Sequence, residues 1–139
     1  MPAVSFPADL DSLGQANAFL ADALPAEFRS LGPQVELALE ELWVNIAGHA
    51  YAPDRPGRIE LEAGPAGGGF RLILRDWGRP FDPFTQAPRP DLEAELPDRP
   101  IGGLGVHLVK TLARSCRYRR LGDCNQVELV FAAGKTSEG

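Results

Sequence analysis

No stretch of the 139 residues approaches the roughly 18 consecutive apolar positions that a bilayer-crossing helix needs. The first residues, MPAVSFPADLD, carry neither the basic start nor the apolar core of a secretory signal. Both observations lead to the expectation of a cytoplasmic protein. Cysteine is scarce. Cys116 and Cys124 stand with seven residues between them, and in a reducing compartment they are expected to remain two unpaired thiols. With histidine at only His49 and His107, no Cys/His cluster is available for a structural zinc ion. Positive charge is also short. A net charge of −5 makes the chain a poor general binder of nucleic acid, since the phosphate backbone repels an acidic surface. There is no internal repeat. There is no Walker sequence either, because no Gly-Lys-Ser/Thr follows the glycine-rich stretch.

What is present reads as one soluble globular domain. Hydrophobic residues make up 44% and charged residues 24% of a chain long enough for one core and too short for two comfortable ones. The expected division is a single domain over 1–134 and a frayed tail over 135–139. Charge is uneven along it. Residues 1–63 hold ten acids against three arginines, whereas residues 64–139 hold nine acids against eleven bases. A small polyanion is therefore better received in the second half.

The pattern of apolar residues gives the element order. Val4 and Phe6 alternate with Ser5 as in a short edge strand over 2–7. Asp11 or Ser12 is placed to cap a helix running to about Leu24, and a helical turn is expected over 28–31. Pro33 suits the first turn of a long helix, with Val35, Ala38, Leu39, Leu42 and Ile46 on one stripe and an end near Ala50. Segments 58–63 and 70–75 alternate apolar and polar residues and form a hairpin around a turn over 64–69. Residues 84–100, with four prolines and no apolar period, make a long loop of the kind that is usually functional. A second helix over 106–115 turns Gly105, Leu108, Val109, Leu112 and Cys116 inward. A closing hairpin spans 117–121 and 126–132. Paired strands without βαβ alternation predict an α+β fold, an antiparallel-rich sheet with helices on one face.

Three groups of residues bear on chemistry. On the long helix, Glu41, Asn45 and His49 are spaced four apart and share one strip. Asn45 borders the apolar stripe, and an amide there needs partners; its oxygen is a hard donor suited to Mg²⁺ that also touches phosphates. A solvated acidic helix face is the plain alternative. Glu40 points about 100° away and cannot share that strip. Next, Asp76-Trp77-Gly78 closes a strand. A carboxylate there can accept from the exocyclic amine of adenine, and Gly78 lets a flat base approach the backbone, although Asp and Gly are also ordinary turn residues. Finally, Gly102-Gly103-Leu104-Gly105 opens a helix, where bare backbone and the helix dipole favour an anion, or where a hinge simply needs glycine. His49 and His107 read as helix-end and solvated residues, and Trp43 and Trp77 as packing residues. The arginines at 114, 117, 119 and 120 read as a solvated face or a patch for an acidic partner.

Taken in order, these motifs resemble the GHKL ATPase superfamily and, within it, the anti-sigma-factor serine kinases. ELALEELWVNIAGHAY is similar to that family's N box, LRDWGRPFDP to its adenine box, GGLGVHLVK to its glycine box, and RYRRLGDCNQVELVF to its closing hairpin. The resemblance covers residues 31–132. It implies the two-layer α/β sandwich of the Bergerat type, with a mixed, mostly antiparallel sheet. It implies ATP and Mg²⁺ as cofactors, and an activity that phosphorylates a serine on a small antagonist protein. Its partners would be a sigma factor, that antagonist and, in some members, a second copy of the chain. By the same resemblance Glu41 is the general base, Asn45 the Mg²⁺ ligand, Asp76 and Gly78 the adenine contacts, and Gly102, Gly103, Leu104 and Gly105 the phosphate loop. Residues 84–100 are the lid, and Lys110 is a candidate phosphate contact beside the alternative of a surface lysine. Two other readings remain: an idle ATP-binding sequestration module, and the detached catalytic half of a histidine kinase.

Overall fold

A computed structural model describes residues 3–52, 57–86 and 103–132. Gly102, most of the expected lid and the expected tail lie outside the described residues. The elements follow in the order β1 (Val4–Pro7), a 3₁₀ turn (Leu10–Ser12), α1 (Leu13–Ala23), a second 3₁₀ turn (Ala26–Leu31), α2 (Gly32–His49), β2 (Arg58–Ala66), β3 (Gly69–Asp76), the short α3 (Pro83–Gln86), α4 (Gly103–Leu112), β4 (Ser115–Leu121) and β5 (Cys124–Ala132). The five strands form one sheet in the order β1-β2-β3-β5-β4, and all four pairings are antiparallel. This is the α+β, two-layer arrangement that paired strand segments called for.

The sheet has one buried and one open face, set by strand periodicity. Ile59 and Leu61 of β2, Phe70, Leu72 and Leu74 of β3, and Val127, Leu129 and Phe131 of β5 lie against the helices and are buried. They meet the α2 stripe of Val35, Ala38, Leu39, Leu42 and Ile46, which is buried as its spacing requires. Trp43 widens that stripe. It is fully buried, it packs edge-on against Phe6, and its indole N–H donates to the Asp9 carbonyl at 2.8 Å. That bond fastens α2 to the chain entering α1.

Several boundaries differ from the sequence expectation. The first helix is entered through a 3₁₀ turn, so Asp9 takes the capping role expected of Asp11 or Ser12: its Oδ1 accepts from the Ser12 amide at 2.9 Å. The hairpin turn is only Gly67-Gly68, both with positive φ, and β2 runs on through Pro65. Pro65 lies beyond the last residue paired with β1, where a strand position without an N–H is tolerated. A short helix, α3, occupies the start of the segment expected to be all loop. The helix α4 begins at Gly103 and ends at Leu112, earlier than 106–115, and Leu108 stays 38% exposed where an inward position was expected; Val109 is buried as expected, and Val106 and Ala113 are buried in addition.

Both cysteines are free, as expected. Cys116 pairs with Leu129, while Cys124 sits at the hairpin turn opposite Leu121. Those positions are five residue steps apart along β4, roughly 16 Å, far beyond the ~7 Å between Cα atoms that a disulfide spans. Trp43→Ala should lower stability by roughly 3–5 kcal/mol, from lost burial, a large cavity and the orphaned Asp9 carbonyl; a denaturant titration followed by circular dichroism measures it.

Candidate functional site

The end of α2 meets the end of β3, and glycine makes the meeting possible. A Cβ on Gly78 would overlap the Ala50 carbonyl oxygen. The turn after β3 therefore lies flat on the last turn of α2, and the Arg79 amide donates to that same Ala50 carbonyl at 2.9 Å. The Arg79 side chain adds a bond from Nε to the His49 carbonyl at 2.9 Å. Tyr51 bridges the two segments from the other side. Its hydroxyl accepts from the Trp77 amide at 2.8 Å and donates to the Arg58 carbonyl at 2.7 Å. The Arg58 guanidinium lies 4.0 Å above the Trp77 ring.

Asp76 ends β3 on the buried face, only 5% exposed. Its Oδ1 accepts from the Gly78 amide at 3.0 Å and from Asn125 Nδ2 at 2.9 Å. Asn125 is its cross-strand neighbour on β5 and is itself 2% exposed. The Asn125 amide is saturated. Its Nδ2 also donates to the Arg79 carbonyl at 2.8 Å, and its Oδ1 accepts from the Tyr118 hydroxyl, from Arg120 Nη1 at 3.1 Å and from the Phe81 amide at 3.4 Å. Arg120 Nη1 also reaches the Gly78 carbonyl at 2.9 Å. Burial pushes the Asp76 carboxyl above the usual carboxylate range, and the bonds from Asn125 and Gly78 and the charge of Arg120 oppose that rise.

A narrow pocket opens beside this carboxyl. It is lined by Leu42, Asn45, Ile46 and Ala50 of the α2 side, Asp76, Phe81 and Pro83 of the β3 end and the turn after it, and Asn125 and Val127 of β5. Asn45 and Asp76, 31 positions apart in sequence, thus line one narrow cavity with apolar walls. One turn before Asn45, Glu41 reaches toward α4: a Cβ on Gly105 would overlap the Glu41 carboxylate. Gly103 and Leu104 form the first turn of the same helix. Glu41, Asn45, Asp76, Gly78 and Gly105 therefore belong to one connected region.

Lys110 is exposed, and its Nζ donates to the Phe84 carbonyl at 3.1 Å, so it ties α3 to α4. The His49 ring stacks on Phe81 at 5.9 Å between centroids, as a helix-end packing residue. Among the described residues no group of three or more His, Cys, Asp or Glu is placed to hold a metal. A cation at Asn45 would find one hard amide oxygen from the protein and would have to complete its shell with water and phosphate oxygens, a donor set that fits Mg²⁺. Asn125 escaped the sequence reading. Its one signal was its place two residues after Asp123 in a hairpin turn, which assigns it to the turn rather than to a buried hub.

The fold is that of a known family. The family model for the histidine kinase-like ATPase domain matches residues 6–131, and the chain belongs to that family. Among curated proteins it is similar to the serine/threonine-protein kinase BtrW of Bordetella bronchiseptica, at 32% identity over 94 residues, 68% of this chain and 66% of that protein. It is also similar to the serine-protein kinase RsbW of Bacillus subtilis, at 30% identity over 90 residues, 61% of this chain and 55% of that protein. The chain thus spans just under two thirds and just over half of the lengths of these two relatives. In fold it is similar to the histidine kinase domain of a blue-light-activated histidine kinase from Erythrobacter litoralis, with a TM-score of 0.57 at 17% identity over 92% of this chain and 62% of that one. The histidine kinase AdeS of Acinetobacter baumannii aligns with a TM-score of 0.55 at 10% identity, over 97% of this chain and 70% of that one.

Two measurements probe the local physics. Gly78→Ala should destabilise the chain by about 1–3 kcal/mol, because the new methyl meets backbone rather than a movable side chain; thermal melting reads it. Asp76 carries a folded pKa above its unfolded value of 3.8, so the native state holds the extra proton. Stability contributed by that proton is full below the unfolded pKa and is lost as pH rises through the folded one. Asp76→Asn, with its amide oxygen accepting the Gly78 and Asn125 bonds, should flatten this part of the stability-against-pH profile.

Proposed function

We propose that the chain is an ATP- and Mg²⁺-dependent serine-protein kinase, serving as a regulatory switch of the anti-sigma-factor kind that phosphorylates a serine on a small antagonist protein. The observation that carries this reading is the convergence of Asn45 and Asp76 on one pocket with the Glu41 carboxylate laid against Gly105. The kinase names of the two curated relatives point the same way.

In this reading Asp76 accepts from the adenine amine. Its Oδ1 is held by Gly78 and Asn125, so its remaining oxygen is aimed rather than free to rotate. Leu42, Ile46, Phe81 and Val127 supply the apolar walls for the base. The start of α4, with Gly103, Leu104 and Gly105, would offer backbone N–H groups and the positive end of a helix dipole to the phosphates, and Gly102, the preceding residue in sequence, is assigned to the same loop. Lys110 would have to exchange its bond to Phe84 to join them. Asn45 would hold Mg²⁺, which when bound offsets the negative charge on the phosphoryl oxygens. Glu41 accepts the proton of the substrate serine hydroxyl as that oxygen bonds to the γ-phosphorus. The bond from the γ-phosphorus to the bridging oxygen then breaks, and ADP leaves. Most of the protein's work here is positioning.

A fluorescent ATP analogue titrated with Mg²⁺ should bind saturably below millimolar concentration, and no binding at that level would sink the proposal. Glu41→Gln should keep nucleotide affinity and lower transfer of labelled phosphate to the co-purifying partner by about a hundredfold or more. The labelled partner should carry acid-stable phosphoserine. Acid-labile phosphohistidine would indicate a histidine-kinase catalytic half, and no transfer by the unaltered chain an idle sequestration module. Asp76→Asn should place a donor against the adenine amine and lose ATP affinity while the fold persists.

A further inference from the structure

The open face of the sheet is ruled by charge, and its ion pairing stops one strand short of the edge. Across it, Glu62, Ile73, Glu128 and Arg117 stand in one cross-strand row, and Glu60, Arg75, Gln126 and Arg119 in the next. Arg75 binds Glu60 at 2.9 Å and Glu62 at 3.6 Å, and its Nε donates to Gln126 at 2.9 Å. Arg71 pairs with Glu128 at 3.4 Å. The acceptors beside β4 are thus already engaged by Arg71 and Arg75. Arg117 and Arg119 are exposed and have no ion pair among the described residues.

Among the described residues the backbone of β4 is open on its far side as well. There it pairs with β5 alone, from Ser115 to Leu121, and its residues alternate exposed and half-buried along the whole strand. No acidic residue lies between Ser115 and Leu121, and Arg114 adds a third exposed cation at the start. The opposite edge differs in kind: β1 is four residues long, uncharged and ends in proline.

We propose that the β4 edge docks an extended, acidic segment of a partner protein by strand addition. Main-chain hydrogen bonds would extend the sheet, and carboxylates on alternate residues would lie opposite Arg117 and Arg119. Charge decides the occupant. A second copy of the chain joined antiparallel through β4 would bring these arginines beside their own counterparts, a like-charge contact that destabilises pairing. The fit to an acidic strand rests on β4 and not on nucleotide binding, so it stands or falls apart from the kinase reading.

A fluorescein-labelled peptide, acetyl-Glu-Val-Glu-Val-Glu-Val-amide, titrated by anisotropy into the full chain, tests the proposal. Saturable binding is expected, weakened about tenfold or more by Arg117→Glu with Arg119→Glu and unchanged by Arg29→Glu on the helical side. Arg117→Gln with Arg119→Gln should weaken it to a smaller extent, and thermal melting of each variant checks that it folds. A peptide N-methylated at alternate amides should not bind, since strand addition needs its N–H groups. The proposal is overturned by absent peptide binding, by equal binding to the doubly substituted chain, or by equal binding of the N-methylated peptide. Arginine-dependent binding of phosphatidylglycerol vesicles or a single-stranded oligonucleotide without the peptide would overturn it too.

Discussion

The hydrogen bond from Asn125 to Asp76 joins two strands at the point where the fold becomes a site. Both groups are almost wholly buried, and neither is tolerable there alone. A buried carboxylate without donors would be strongly destabilised, and an amide without partners would cost about 1–3 kcal/mol. Paired, they also recruit the Arg79 carbonyl, the Tyr118 hydroxyl, Arg120 and the Phe81 amide. The turn after β3, the β4–β5 hairpin and the pocket wall are thereby held in one arrangement. A fully satisfied polar network of this kind favours a single geometry, because a partly satisfied one is expensive in a low-dielectric interior.

Against that anchor, α2 works as a ruler. Its 3.6-residue period buries the stripe from Val35 to Ile46 on the sheet, and the same period sets Glu41 and Asn45 one turn apart on the flank of that stripe. Ala50 at its end receives the turn containing Gly78, and Gly105 leaves room for the Glu41 side chain against α4. Two glycines therefore determine how closely the carboxylate, the amide and the backbone come together.

The sheet separates binding from solvent by parity. Odd positions of β2 and even positions of β3 build the core and end in Asp76, while their alternates carry Glu60, Glu62, Arg71 and Arg75. On the open face Ile73 stands between Glu62 and Glu128 in the cross-strand row and is buried there despite pointing away from the helices.

Much of the fold was legible because periodicity is local. The α2 stripe, the alternation of Ile59 and Leu61 with their glutamates, and the Phe70–Leu72–Leu74 face are decided by spacing along the chain, and each is buried as its spacing requires. The family likewise followed from short motifs in a fixed order. Other features depended on neighbours remote in sequence. Leu108 reads as core yet stays exposed, since α4 packs against α2 and that packing turns Val106 and Val109 inward. Pro65 reads as a turn yet continues a strand, since β1 has already ended beside it. Asn125 reads as part of a hairpin turn yet becomes the hub of Asp76, since only strand register brings those two residues opposite one another. A sequence specifies spacing and chemical type by itself; which distant groups share a cavity, and how their burial is compensated, is settled only when the sheet closes under the helices.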